Sequence, residues 1–125
     1  MFRPLKLLAL SLAVTAGQAG PSAAADLTDA EIRLELIGRQ IEWWDEDGWL
    51  TGYLFLLPDG SAEITVDRPE RSDDTGRWVV RSGLLCTVWG ELRQGDEKCY
   101  SVEKTTDGRF RTSGGNVFEI DETGV

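Results

Sequence analysis

Residues 74–100, which read DTGRWVVRSGLLCTVWGELRQGDEKCY, decide the fold. This stretch contains both cysteines of the chain and two of its five tryptophans. Ser82-Gly83 separates two runs rich in β-branched and apolar residues, which is typical of a tight two-residue hairpin turn. A further turn signal follows at 94–96, so the stretch predicts a meander of three antiparallel strands.

The two-residue turn fixes the register of this meander. Antiparallel partners step away from the turn one residue at a time, so Val80 lies opposite Leu85. A cross-strand disulfide between Cys86 and Cys99 then sets Leu85 opposite Tyr100. The face predicted to form the core carries Trp78, Val80, Leu85, Thr87, Trp89, Tyr100 and Val102. The outer face carries Arg77, Val79, Arg81, Cys86, Cys99, Ser101 and Glu103, so the disulfide is expected among charged residues.

Residues 1–25 have the pattern of a secretory signal peptide. Arg3 and Lys6 precede a short apolar run, and small residues follow up to Ala25. The run is shorter than the ~20 residues that span a bilayer, and no second such segment follows, so we expect no membrane span. Cleavage after Ala25 leaves a single domain, 26–125. The sequence therefore predicts an exported protein that is periplasmic or secreted.

Export determines how the cysteines and the charge are interpreted. Two cysteines in an oxidising compartment form a disulfide far more often than a metal or redox site. A bridge from Cys86 to Cys99 is expected to contribute about 3 kcal/mol. The net charge of −9 becomes −11 without residues 1–25, which hold two basic and no acidic residues. This negative charge argues against nucleic acid or an anionic membrane as a partner. It serves either to keep the protein soluble or to attract a basic partner.

A short helix is predicted at the start of the mature chain, over about 29–37. Thr28 is a suitable N-cap, and Glu31 completes a capping box with it. Gly38 suits the left-handed position that ends a helix. The apolar residues of this segment form a broad stripe, so the helix must pack on another part of the fold.

Strands and turns follow to the end of the chain. Seven turn signals delimit eight short strands without intervening helices, which is typical of an antiparallel barrel or sandwich. Since every connection except 67–76 is short, an up-and-down meander closing into a small barrel is the simplest topology. The protein is therefore predicted to be mainly β, with strands at 39–44, 49–57, 61–67, 76–81, 84–90, 98–104, 109–112 and 116–121.

Strand 49–57 is apolar on both sides. Leu50, Leu54 and Leu56 share one face, so the opposite face must be covered by the N-terminal helix, buried in a partner or exposed as a binding patch. The helix is the favoured cover, because its own apolar stripe needs a partner. The opposite face carries Trp49, Tyr53, Phe55 and Leu57.

The sequence contains no recognisable catalytic or cofactor motif. It has no histidine, which excludes histidine-dependent nucleophile systems and ordinary zinc or haem sites. Asp45-Glu46-Asp47-Gly48 resembles the start of a calcium loop, yet Leu56 occupies the position of its closing glutamate. We therefore predict a non-enzymatic protein with no cofactor, no metal site and no catalytic residues.

Aromatic residues supply the candidate binding surface. Trp43, Trp44 and Trp49 cluster around one hairpin tip and are positioned to line a barrel mouth, although Trp43 and Trp44 must point to opposite faces if they are neighbours on one strand. Tyr53 and Phe55 extend this candidate surface for a ligand or partner.

Several short motifs in order resemble a group of small exported alphaproteobacterial proteins of unknown function. They are Leu27–Ile32, Ile37-Gly38-Arg39, Pro58-Asp59-Gly60, Gly76-Arg77-Trp78, Leu85–Trp89 and Cys99-Tyr100. The resemblance implies a periplasmic protein with a calycin-like barrel and implies no activity. Lipocalins share a Gly-x-Trp motif, but theirs lies on the first strand.

Two functions remain open at this point. One is a binding module whose barrel mouth captures a small apolar or aromatic ligand. The other is a protein-interaction module of the cell envelope, such as an acidic inhibitor of a basic hydrolase similar to lysozyme inhibitors. A cavity inside the barrel would favour the first, because a barrel filled by side chains holds no ligand.

Overall fold

The computed structural model describes residues 25–122, so all but the last residue of the predicted signal peptide lies outside it. Helix α1 spans Asp29–Leu36, and a single 3₁₀ turn spans Leu92–Gly95. No helix within 25–122 is long and apolar enough to cross a membrane. The strands are β1 (Gln40–Asp45), β2 (Thr51–Leu56), β3 (Ser61–Val66), β4 (Ser72–Arg81), β5 (Leu84–Trp89), β6 (Lys98–Tyr100), β7 (Val102–Lys104), β8 (Phe110–Thr112) and β9 (Asn116–Ile120).

The strands form a nearly closed antiparallel barrel. Their order in the sheet is β6-β5-β4-β3-β2-β1-β9-β8-β7, and only Ser101 separates the two outermost strands in the chain. The sheet therefore returns to its starting strand, with β9 paired to β1. The predicted up-and-down barrel with one N-terminal helix is confirmed.

The predicted strand 98–104 changes partners at Ser101. Its first half pairs with β5, and its second half pairs with β8. The backbone of Ser101 exchanges hydrogen bonds with Ser113, at the junction of the two ladders. The free side of β7 is covered by the N-terminal segment, where Leu27 N–H donates to the Val102 carbonyl at 2.7 Å. This contact protects an edge that would otherwise present unpaired backbone groups.

The central meander has the register that its turn predicts. Val80 pairs with Leu85, and Leu85 with Tyr100. Cys86 and Cys99 are paired partners joined by a disulfide. Six of the seven predicted core residues are buried, and the seventh, Trp78, is half-buried. Its indole Nε1 donates to the carbonyl of Leu57 at 2.7 Å, which holds the ring towards the barrel end.

The disulfide lies on the outer face of the sheet beside charged residues, as predicted. The Arg81 guanidinium lies 3.8 Å from the Cys99 sulfur and 2.8 Å from the Glu97 carboxylate. Cys86 is nevertheless buried, which the alternation of inward and outward residues does not predict.

The predicted start of this strand at residue 76, after a turn at 73–76, is wrong, because β4 already begins at Ser72. This early start gives β3 a partner along its whole length, from Ser61 to Val66. Gly76 is needed for close packing of backbones rather than for a turn, since a Cβ there would lie 2.0 Å from the Val88 carbonyl oxygen. A glycine that reads as a turn signal thus sits inside a ten-residue strand.

Helix α1 closes one end of the barrel. The predicted capping box is present, with Thr28 Oγ1 accepting from Glu31 N–H and the Glu31 carboxylate accepting from Thr28 N–H. Gly38 has a φ of 81°, as expected for the residue that ends the helix. Ile32 and Leu36 are fully buried in the same core cluster as the inward side chains of the strands.

The expectation that the helix covers the outer face of β2 is wrong. Arg33 donates to the carbonyl of Val80, and Gly38 N–H donates to the carbonyl of Leu56, so α1 is held at the end where these strands meet their turns. The core that it joins lies inside the barrel. Tyr53 on the outer face of β2 remains 36% exposed.

Candidate functional site

A cavity of about 210 Å³ lies at the end of the barrel opposite the helix. Its walls come from strand ends and loops: Val66 ends β3, Trp89 ends β5, Asn116 begins β9 and Leu50 precedes β2. We call this space the mouth cavity. Most of its lining is apolar or aromatic, as in typical small-molecule sites. The full lining is Trp43, Leu50, Leu54, Ile64, Val66, Trp89, Leu92, Arg93, Tyr100, Asn116 and Phe118.

Trp43 forms one rigid wall of the mouth cavity. Its side chain is 7% exposed, and its Nε1 donates to the Thr65 carbonyl at 3.2 Å. The opposite residue on β2 is Gly52, where a Cβ would lie 1.9 Å from the same carbonyl oxygen. Glycine therefore lets the backbones approach closely enough for the indole to reach its acceptor.

Arg93 and Tyr100 interrupt the apolar wall of the cavity, and both contact the buried residue Thr87. Arg93 Nη1 donates to Thr87 Oγ1 at 3.5 Å, and Thr87 is only 1% exposed. Thr87 also hydrogen-bonds the Tyr100 hydroxyl. Burial raises the pKa of Tyr100, although the Arg93 charge and the Thr87 hydrogen bond oppose this effect. The hydroxyl of Tyr100 is therefore protonated at neutral pH and available for hydrogen bonding.

The loop that carries Arg93 has an unusual backbone. Arg93 and Gln94 have φ values of 55° and 56°, in the left-handed region that non-glycine residues seldom occupy. Two consecutive residues in this conformation turn the chain sharply within 92–95. Such conformations persist only where the surrounding structure holds them, and they concentrate at functional sites.

Asp74, on the neighbouring strand β4, holds this loop. Its carboxylate accepts from the backbone N–H groups of Glu91 and Leu92, each at 2.8 Å, and from Thr75 N–H. Desolvation raises the pKa of Asp74, but the N–H groups of Leu92, Glu91, Thr75 and Gly90 outweigh it and lower the pKa overall. An ionised Asp74 therefore fixes the segment that positions Leu92 and Arg93 at the cavity.

The five predicted aromatic residues are not brought together. Trp43 alone lines the mouth cavity, while its neighbour Trp44 faces outward with the Arg109 guanidinium 5.3 Å from its ring centre. Trp49 is in the β1–β2 loop and is 71% exposed. Tyr53 and Phe55 lie on the outer face of β2, exposed and half-buried respectively. The predicted opposite orientation of the two neighbouring tryptophans is confirmed.

Leu92, Arg93 and Asn116 were missed as cavity residues because nothing in their local sequence marks them. Leu92 is the one weak signal, an isolated apolar residue in the polar stretch after the strand that ends at Trp89. Trp89 and Tyr100 were predicted to be core residues, and they are buried, but their place at a cavity depends on how the loops close over the barrel.

Two other features of the described chain are poorer candidates. A shallow depression of about 560 Å³ near the helix is lined mainly by exposed charged side chains. The ligand atoms of Cys86, Glu97 and Cys99 lie within 4.8 Å of one another. The sulfurs are joined in a disulfide, and thiolate rather than disulfide sulfur binds metals, so this cluster is not arranged as a metal site.

Comparisons of the chain with protein-family models, with characterised proteins and with solved structures found no match. The candidate site is therefore interpreted from its own geometry.

Proposed function

We propose that the protein is a non-enzymatic binding module that takes a small apolar or aromatic ligand into the mouth cavity. The observation that carries the proposal is the cavity itself, about 210 Å³ of space walled by two tryptophans and several aliphatic side chains. With β6 and β7 counted as one strand that changes partners at Ser101, the barrel has eight strands. Such a barrel is just wide enough for its side chains to fill it or for it to hold one small ligand. The disulfide fits the proposed periplasmic or secreted location.

The volume limits the class of ligand. An apolar cavity of about 150 Å³ binds benzene, so the mouth cavity has room for a single aromatic ring with a short substituent. Larger apolar molecules such as long acyl chains do not fit inside it. The ligand is expected to gain most of its affinity from removal of its apolar surface from water.

Toluene is the probe for this proposal. We expect it to raise the melting temperature, because a ligand that binds only the folded state stabilises it by mass action. Val66→Phe should abolish this shift by filling the cavity from the end of β3. Val79→Phe is the matched control, since Val79 is 40% exposed on the outer face. Absence of a shift in the wild type, or an equal shift in both variants, would refute the proposal.

An envelope protein-interaction module is the second candidate, supported by exposed apolar side chains at the β1–β2 hairpin. Trp49 is 71% exposed, and Leu50 and Tyr53 are 38% and 36% exposed. The adjoining loop carries the acidic residues 45–47. An exposed aromatic group surrounded by negative charge has the composition expected for contact with a basic protein.

A basic lysozyme is the probe for this second candidate. If the hairpin is the contact, the protein should inhibit the enzyme, and inhibition should weaken as salt screens the acidic residues. Trp49→Ser with Tyr53→Ser should reduce inhibition without a large change in melting temperature. Leu34→Ser is the control, because Leu34 is equally exposed but lies on the helix. Lack of inhibition by the wild type would remove this candidate.

A further inference from the structure

Arg93 is a charged residue on the lining of a largely apolar cavity. Within residues 25–122 it makes no ion pair, whereas seven other ion pairs are formed there. Its guanidinium instead reaches Thr87 Oγ1 at 3.5 Å, a long contact that satisfies little of its donor capacity. The remaining donors are left for solvent or for a molecule in the cavity.

The position of Arg93 is built into the fold. Its left-handed backbone directs the segment 92–95 across the mouth of the barrel. Asp74 fixes this conformation by accepting hydrogen bonds from Glu91 and Leu92 N–H, 17 and 18 residues away in the chain. The same segment supplies Leu92 to the apolar wall. Arg93 is exposed to solvent, and its contact with Thr87 Oγ1 places the guanidinium at the edge of the apolar space.

From these contacts we infer that the ligand of the mouth cavity is a small monocarboxylate with an aromatic or short branched apolar body. The inference rests on the proposed function of the cavity and names the class of ligand. The carboxylate is recognised by Arg93, and Tyr100 and Asn116 are the other polar residues of the lining. The apolar body lies against Trp43 and Trp89.

The charge distribution favours a single carboxylate over other anions. The cavity lining holds one arginine and no other charged side chain, which matches one negative charge. The protein is strongly acidic as a whole, so a phosphate ester or dicarboxylate would be repelled by the surrounding field. A guanidinium also matches the planar geometry of a carboxylate, with which it forms two parallel hydrogen bonds.

Phenylacetate and 2-phenylethanol test the inference, because they share a carbon skeleton and differ in charge. Their affinities are measured by calorimetry at pH 7 and low salt. We expect phenylacetate to bind roughly ten- to a hundredfold more tightly, the range for a charge-assisted hydrogen bond. Arg93→Met should remove this preference, by lowering the affinity for phenylacetate to about that for 2-phenylethanol in the same variant. Arg93→Lys should retain part of the preference for phenylacetate, since lysine keeps the positive charge but cannot form the two parallel hydrogen bonds of a guanidinium.

Arg71→Met is the matched control, because it changes the net charge equally at an exposed position away from the cavity. It should leave the preference for phenylacetate intact. Equal affinity of the wild type for both compounds would overturn the inference, as would a preference that survives Arg93→Met. If toluene and 2-phenylethanol bind but phenylacetate has no advantage, the carboxylate inference fails while the proposed binding function stands. If neither aromatic probe binds, the proposed function fails as well.

Discussion

Gly52→Ala is expected to destabilise the barrel through a single added methyl group. The new Cβ would lie 1.9 Å from the Thr65 carbonyl oxygen and 3.0 Å from Trp43 Nε1. Separations under 3.0 Å are not tolerated, so β2 and β3 must move apart by about 1 Å or more. Such a movement breaks the hydrogen bond from Trp43 Nε1 to the Thr65 carbonyl and distorts the one from Tyr53 N–H to Thr65 Oγ1.

The expected loss of stability is the sum of the cost of overpacking and the cost of the broken hydrogen bond. Overpacking in a well-packed interior costs about 1–3 kcal/mol, and a buried donor left without an acceptor costs about 1–3 kcal/mol. Together they lower the free energy of unfolding by roughly 2–6 kcal/mol. For a domain of this length, this corresponds to a fall in melting temperature of roughly 10 °C or more. Because Trp43 lines the cavity and loses its hydrogen bond to the Thr65 carbonyl, toluene binding should weaken too.

Thermal unfolding followed by circular dichroism measures the change, with urea unfolding as a second measurement. Gly114→Ala is the control, because the nearest atom to a Cβ at Gly114 is 3.6 Å away and that glycine does not have a positive φ. Its stability should remain within about 1 kcal/mol of the wild type. Equal melting temperatures for the two variants would refute the explanation of why glycine occupies position 52.

Three further predictions concern the disulfide, the loop anchor and the helix cap. Reduction of Cys86–Cys99 should lower the free energy of unfolding by about 3 kcal/mol, and an unchanged urea midpoint in reductant would contradict this. Asp74 has a lowered pKa in the folded state, so its stabilisation is present above its unfolded pKa of about 3.9 and is lost as the pH falls through the folded value. Asp74→Asn should therefore have a lower free energy of unfolding than the wild type at pH 7, and this difference should be smaller at pH 3. A difference of the same size at both pH values would contradict the role of Asp74 in holding the loop. Thr28→Ala should cost about 0.5–2 kcal/mol in urea unfolding, and no loss would mean that the capping box is not needed to hold α1.

The local features of the fold could be predicted because they depend on residues close together in the chain. The Ser82-Gly83 turn sets the register of β4 and β5, and one residue of slip would invert every side chain. The helix cap needs only residues three apart.

The sequence by itself determined the class of fold, the barrel order, the disulfide and the inward face of the central strands, because alternation and turn spacing are local properties. Only the tertiary structure decided that α1 closes the barrel end instead of covering β2, since an apolar stripe specifies burial but not its partner. It also decided that Arg93 lies at an apolar cavity. That placement depends on a left-handed turn within 92–95, held by Asp74 on β4, and no local pattern marks Arg93 and Gln94 for this conformation.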